Sequence, residues 1–202
     1  MRFLTLALLA LIMTDTSATR ADNQLLYLAS TADKTIVAYE IDDDSGLLSQ
    51  RFSVDLPGNG GAMAFSPDKS FVYASVTGLP GNAAGVATLA RAKDGTLKLI
   101  DTAKITSRPP YIQVDPTGQF LLAAHYGAGD VTMYRVTDGV ATSKLLSHIK
   151  TEKTAHCIEL DPSGKYVYVP HTAPNKVYQF VLDTKAGKLV PNDPPFVDGR
   201  DK

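Results

Sequence analysis

Four histidines, one cysteine and an arginine ahead of a proline pair hold most of the chemical possibilities of this chain. An imidazole exchanges protons near neutral pH, so His125, His148, His156 and His171 are the first places to look for acid–base chemistry. His156 stands one position ahead of a short strand-like run, Cys157 to Leu160. In an extended strand its neighbour Cys157 faces the opposite way, which rules out a thiolate–imidazole pair. Arg108 precedes Pro109-Pro110-Tyr111, and a planar guanidinium there suits a phosphate or carboxylate. Tyr111 and Tyr126 are candidates to line the same mouth. His125 and His171 are 46 residues apart, as are Asp115 and Asp161, so they are expected at equivalent places on one rim, solvated or bonded to turns, with a substrate within reach. His148 is expected at the surface. No HxH or HExxH spacing occurs, so neither a metal nor another cofactor is indicated. Gly58-Asn59-Gly60-Gly61 lacks dinucleotide-loop spacing and leads into a strand. Asp42-Asp43-Asp44-Ser45-Gly46 lacks the calcium-loop pattern and reads as a hairpin turn.

Composition narrows the partners. The 202 residues include 20 Lys or Arg against 21 Asp or Glu, a net charge of −1, which gives no pull on nucleic acid. With 44% hydrophobic residues the chain can bury a core, and its 15 Gly and 12 Pro announce many turns. Few helix signals accompany them, so the expected class is all-β. The lone cysteine excludes an internal disulfide or a CxxC site. Residues 1–21 read as a secretory signal: Met1-Arg2, then an apolar run from Phe3 to Met13, then small residues around Ala18 and Ala21. That run is short of the roughly 20 residues that span a bilayer, so no membrane span is expected once the signal is removed. The periplasm or the extracellular space is the implied destination.

The elements that must position the candidate residues come from an internal repeat. Phe65-Ser66-Pro67-Asp68, Val114-Asp115-Pro116-Thr117-Gly118 and Leu160-Asp161-Pro162-Ser163-Gly164 recur with prolines 49 and 46 residues apart. Each turn sits between an inner strand (Ala62 to Phe65, Tyr111 to Val114, Cys157 to Leu160) and a β-rich run, then a second alternating strand, a glycine turn and an outer strand. Leu25-Leu26-Tyr27-Leu28 opens a unit whose front is missing. Four strands in each repeat of this length are the signature of a β-propeller blade, because one small twisted sheet must stack on copies of itself. The expectation for residues 22–202 is therefore an incomplete propeller of about four blade units, ending in a polar tail after Pro194-Pro195-Phe196.

The run from Asp115-Pro116-Thr117-Gly118-Gln119-Phe120 through Ala123-Ala124-His125-Tyr126-Gly127 to Ala155-His156-Cys157-Ile158-Glu159-Leu160-Asp161-Pro162 resembles the seven-bladed lactonase family. That family includes the propeller-type 6-phosphogluconolactonases and the carboxy-muconate cyclases, and the resemblance covers nearly all of residues 24 to 197. It implies a seven-bladed ring of which this chain is the N-terminal part, with His156 matching the family's active-site histidine. His156 would assist the water that attacks a sugar lactone, and Arg108, Tyr111, His125, Tyr126 and His171 are the candidate substrate contacts. The family's Gly-Pro-Arg-His stretch and later Asn-Glu have no match here, and the chain alone is expected to be inactive. The implied partner is a small lactone or anionic sugar derivative. A muconate-type cycloisomerase and a non-catalytic binding propeller are the competing functions.

Overall fold

Proline fixes φ at the second place of each repeat turn, and the residue two places later takes positive φ, a glycine in two of the turns and Lys69 in the first. In the computed structural model, which describes residues 24–199, Gly118 and Gly164 adopt φ of 71° and 69°. Asp115 is fully buried and accepts from the backbone N–H groups of Thr117, Gln119 and Phe120 at 2.7–3.0 Å. Asp161 does the same for Lys165 and Tyr166. In the earlier unit, where serine stands in place of aspartate, Ser66 Oγ accepts from the N–H of Phe71 at 2.9 Å and Asp68 accepts from that of Ser70. The turn survives the change because any short oxygen-bearing side chain can reach those donors.

Each turn launches antiparallel strands. Blade 1 has three, β1 (Leu25–Ser30), β2 (Thr35–Ile41) and β3 (Leu48–Asp55). Blade 2 is β4 (Asn59–Phe65), β5 (Phe71–Leu79), β6 (Ala83–Arg91) and β7 (Leu97–Ile105), in that order across the sheet. Blade 3 is β8 (Tyr111–Val114), β9 (Phe120–His125), β10 (Asp130–Thr137) and β11 (Val140–Lys150), and blade 4 is β12 (Glu159–Leu160), β13 (Tyr166–His171), β14 (Lys176–Asp183) and β15 (Lys188–Asp198). All pairings are antiparallel between chain neighbours, as a meander requires, and the all-β expectation holds. Blade 1 lacks the inner strand that β4, β8 and β12 supply to the others, so the missing front is real among the described residues.

The core lies between the sheets. Ile36, Val72 and Leu89 pack blade 1 on blade 2, Tyr73, Ile112 and Leu121 pack blade 2 on blade 3, and Phe120, Met133, Val167 and Phe180 pack blade 3 on blade 4. Alternation along the strands sends successive residues to opposite faces, so the inner blades bury both. All six residues of β9 are buried accordingly.

Two expectations need correction. The inner strand of blade 4 is only Glu159–Leu160, not Cys157 to Leu160. Upstream of it the chain crosses to the far end of β13, where the N–H of His156 donates to the Pro170 carbonyl at 3.0 Å and Ala155 bridges His171. His156 and Cys157 therefore lie on a loop. At the C-terminal end, β15 runs to Asp198 and its last residues pair with β14, Asp198 opposite Lys176, so Asp198 belongs to a strand and not to a tail. The leader reading of residues 1–21 lies outside the described residues.

Candidate functional site

The β9–β10 connection turns sharply at Gly129, whose φ is 67°. A side chain there would stand 2.8 Å from the backbone of Glu152 and Lys153, so the absence of a Cβ lets the turn press against the loop that carries His156. That loop is pinned further by the N–H of Thr154 donating to the Tyr126 carbonyl at 2.8 Å, and by Ala155 and Ile158, both fully buried. The His156 side chain is left exposed between these anchors. Its ring meets the Tyr126 ring edge-on, with centroids 6.0 Å apart and planes at 77°.

Tyr126 joins His156 to a cavity. Ser107, Arg108 and Pro110 from the β7–β8 connection and Tyr126, Gly127 and Ala128 from the β9–β10 connection line an open cavity of about 510 Å³. Arg108 is exposed and takes part in none of the ion pairs among the described residues. Its guanidinium can therefore meet an anion without giving up an internal partner. The Tyr126 hydroxyl lies 3.4 Å from Thr172 Oγ1, which holds the ring at the cavity mouth. Of the residues singled out in the sequence, Arg108 and Tyr126 thus share this cavity, and His156 stands beside it through its contact with the Tyr126 ring.

The other three are not. His125 is fully buried, with Nδ1 2.9 Å from Ser107 Oγ and Nε2 2.8 Å from Thr132 Oγ1. His171 is 3% exposed, with Nδ1 3.0 Å from the Val169 carbonyl oxygen, Nε2 3.0 Å from Thr151 Oγ1, and its ring 4.7 Å from that of Tyr178. Their strand-end equivalence holds, but neither is solvated or open to a ligand. Each fills a buried polar niche and pins a neighbouring loop. Tyr111 is also spoken for: its hydroxyl donates to Glu159 Oε1, and Gln113 Nε2 donates to Glu159 Oε2 at 3.0 Å. This hydrogen bond, with burial adding to it, pushes the Tyr111 phenol up to about 12. His148 sits on the outer strand, with Nε2 2.9 Å from Asp130 Oδ2. Cys157 is half-buried, and burial together with the nearby Glu159 pushes its thiol up, away from the reactive thiolate. Among the described residues no three His, Cys, Asp or Glu side chains converge as a metal site.

Sequence reasoning missed Glu159 and Ser107. Glu159 occupies the repeat position of Gln113 and Ala64, two residues before the turn, and a carboxylate at an inner-strand position was a usable signal. Nothing in the spacing marked Ser107.

The buried histidines make stability depend on pH. Burial pushes both below the usual imidazole range, against the opposing pull of Asp130 on His125 and of hydrogen bonding and Glu152 on His171. The unfolded chain then takes up protons at a higher pH than the folded one. Their contribution is complete above about pH 6.5 and is lost as pH falls from there toward the folded values. The urea midpoint is expected to drop between about pH 7 and pH 5. In a His125→Asn, His171→Asn double variant that drop shrinks; an unchanged slope would place the titration elsewhere.

Stacked antiparallel blades with a cavity at their loop ends define the class: a partial β-propeller. The sequence matches the family described as "Lactonase, 7-bladed beta-propeller" over residues 19–200, and the chain belongs to that family. It is 30% identical over 174 residues to a 6-phosphogluconolactonase of Cronobacter sakazakii, a match covering 86% of this chain and 50% of that protein. Among solved structures, the periplasmic gluconolactonase of Pseudomonas aeruginosa shares the fold with a TM-score of 0.73 at 18% identity, over 88% of this chain and 55% of that one. The chain thus spans about half the length of these relatives.

Proposed function

We propose that this chain carries the substrate-holding part of a lactonase that opens a sugar lactone of the gluconolactone type. The observation that carries the reading is the convergence of Arg108 and Tyr126 on one cavity of about 510 Å³, with the exposed His156 ring against Tyr126. Hydrolysis needs a water made nucleophilic, charge stabilised as the carbonyl becomes tetrahedral, and a proton returned to the departing ring oxygen. His156 removes the proton from water as the oxygen attacks the lactone carbonyl, and returns it to the alkoxide when the C–O bond breaks. Arg108 holds an anionic substituent of the sugar or the developing oxyanion. Tyr126 orients the imidazole and walls the cavity. The similarity to a 6-phosphogluconolactonase supports this substrate class. We also propose that residues 1–21 direct export, a reading in keeping with a periplasmic relative of the same fold.

Binding tests the reading on the chain itself. Gluconate and 6-phosphogluconate, the open products, are expected to shift the His156 and Tyr126 NMR signals. Loss of a charge-assisted hydrogen bond in Arg108→Ala weakens 6-phosphogluconate binding by about 10- to 100-fold. No shift at either ring with either ligand would defeat the proposal.

A further inference from the structure

The Arg108 guanidinium is exposed and unpaired among the described residues, so its place depends on where the β7–β8 connection sets its backbone. That connection is fixed in an uncommon way. Residues 106–110 make no backbone–backbone hydrogen bond among the described residues, and Pro109 and Pro110 have no N–H to offer. Two buried side chains do the holding. The Thr106 N–H donates to the Tyr134 hydroxyl oxygen at 3.0 Å, and that hydroxyl donates to Thr106 Oγ1 at 3.2 Å. One residue on, Ser107 Oγ lies 2.9 Å from His125 Nδ1. His125 is fully buried with its other ring nitrogen 2.8 Å from Thr132 Oγ1, so the imidazole cannot turn without breaking a bond at one end.

The loop that carries His156 is built the other way. Backbone bonds hold it at intervals: the Thr151 N–H donates to the Gly129 carbonyl at 3.0 Å, that of Thr154 to Tyr126 at 2.8 Å, that of His156 to Pro170 at 3.0 Å, and Thr172 donates to the Thr154 carbonyl at 3.2 Å. His171, at the same repeat position as His125, adds a contact of 3.0 Å from Nε2 to Thr151 Oγ1. It supplements a loop that the main chain already secures, whereas His125 replaces main-chain bonds that the Arg108 loop lacks.

We infer that His125 is the positioning residue of Arg108, with Tyr134 steadying the residue before it, and that through Arg108 it sets the preference of the cavity for a phosphorylated over an unphosphorylated sugar acid. This assignment rests on the reading of Arg108 as the partner of the anionic substituent. A guanidinium on a loop already ordered meets the phosphate without the entropy loss of ordering that loop on binding.

Calorimetric titration of the 202-residue chain with 6-phosphogluconate and with gluconate tests this, since the two ligands differ by the phosphate alone. His125→Phe fills the space of the ring and removes the nitrogen that faces Ser107. It is expected to weaken 6-phosphogluconate by about three- to tenfold and gluconate by less than about twofold. His125→Asn, which keeps a hydrogen-bonding atom near the place of Nδ1, restores most of the difference. Ser107→Ala cuts the same bond from the cavity side, where the fold is not at stake, and reproduces the His125→Phe result. In an Arg108→Ala background His125→Phe has no further effect, as for two residues that act as one. His171→Phe, likewise at a buried site, leaves the ratio of the two affinities unchanged. Amide order parameters of Ser107 and Arg108 fall in His125→Phe and stay at the rigid level in His171→Phe. Equal losses for both ligands, additive effects with Arg108→Ala, or unchanged order parameters overturn the inference and leave His125 a purely structural residue. A loop that loosens in His125→Phe while Arg108→Ala leaves 6-phosphogluconate binding intact overturns the phosphate preference instead, and with it the reading of Arg108.

Discussion

Under the proposed lactonase function, replacing His156 with alanine in a protein that carries the complete seven-bladed ring is expected to lower kcat for opening a gluconolactone-type substrate by about 10²- to 10⁴-fold, the usual share of a positioned general base. The structure gives the change a clean readout. The side chain is exposed, its backbone N–H keeps the bond to Pro170, and the loop is anchored by Ala155 and Ile158. Folding stability should therefore move by no more than about 0.5 kcal/mol. Tyr126→Phe retains the ring contact and most of the rate. Tyr126→Leu removes the edge-on contact at 6.0 Å and lets the imidazole wander, so its loss falls between the two. A loss below about tenfold in His156→Ala would remove His156 from the proton-transfer role.

The largest effect on stability is expected at Phe120. Its ring is fully buried in the core between blades 3 and 4, the Arg135 guanidinium carbon lies 4.7 Å from its centroid, and its edge lies under the Gly187 hairpin. Phe120→Ala removes apolar contacts on both sides of the junction and leaves a cavity that two hydrogen-bonded sheets cannot collapse to fill. A cost of about 3–5 kcal/mol follows, read as a lower urea midpoint. Leu48→Ala, at a site 52% exposed on blade 1, is the control and should stay within about 0.5 kcal/mol. A Phe120→Ala cost near that of the control would mean that blades 3 and 4 are not held together by this core.

What the sequence determined by itself is whatever depends on local chemistry repeated along the chain. Asp-Pro-x-Gly needs only neighbouring backbone donors to form its turn, and alternation needs only the pleat, so the strands, the blade unit and the missing inner strand of blade 1 could all be read from residue types and spacing. The repeat also placed His125 and His171 correctly at strand ends. Their surroundings were another matter. Whether a strand-end histidine meets solvent or a niche depends on which hydroxyls other segments bring to it, and Ser107, Thr132 and Thr151 arrive from 7 to 20 residues away. Tyr111 looked free to line a mouth until blade 4 set Glu159 against it, 48 residues on. His156 was expected at the start of a strand, but the bridge from Ala155 to His171 draws it into a loop and onto Tyr126. Local sequence decides backbone conformation, because turns and pleats are satisfied within a few residues. Which side chains share a cavity is decided by the stacking of blades, an arrangement set by packing between segments that are distant along the chain.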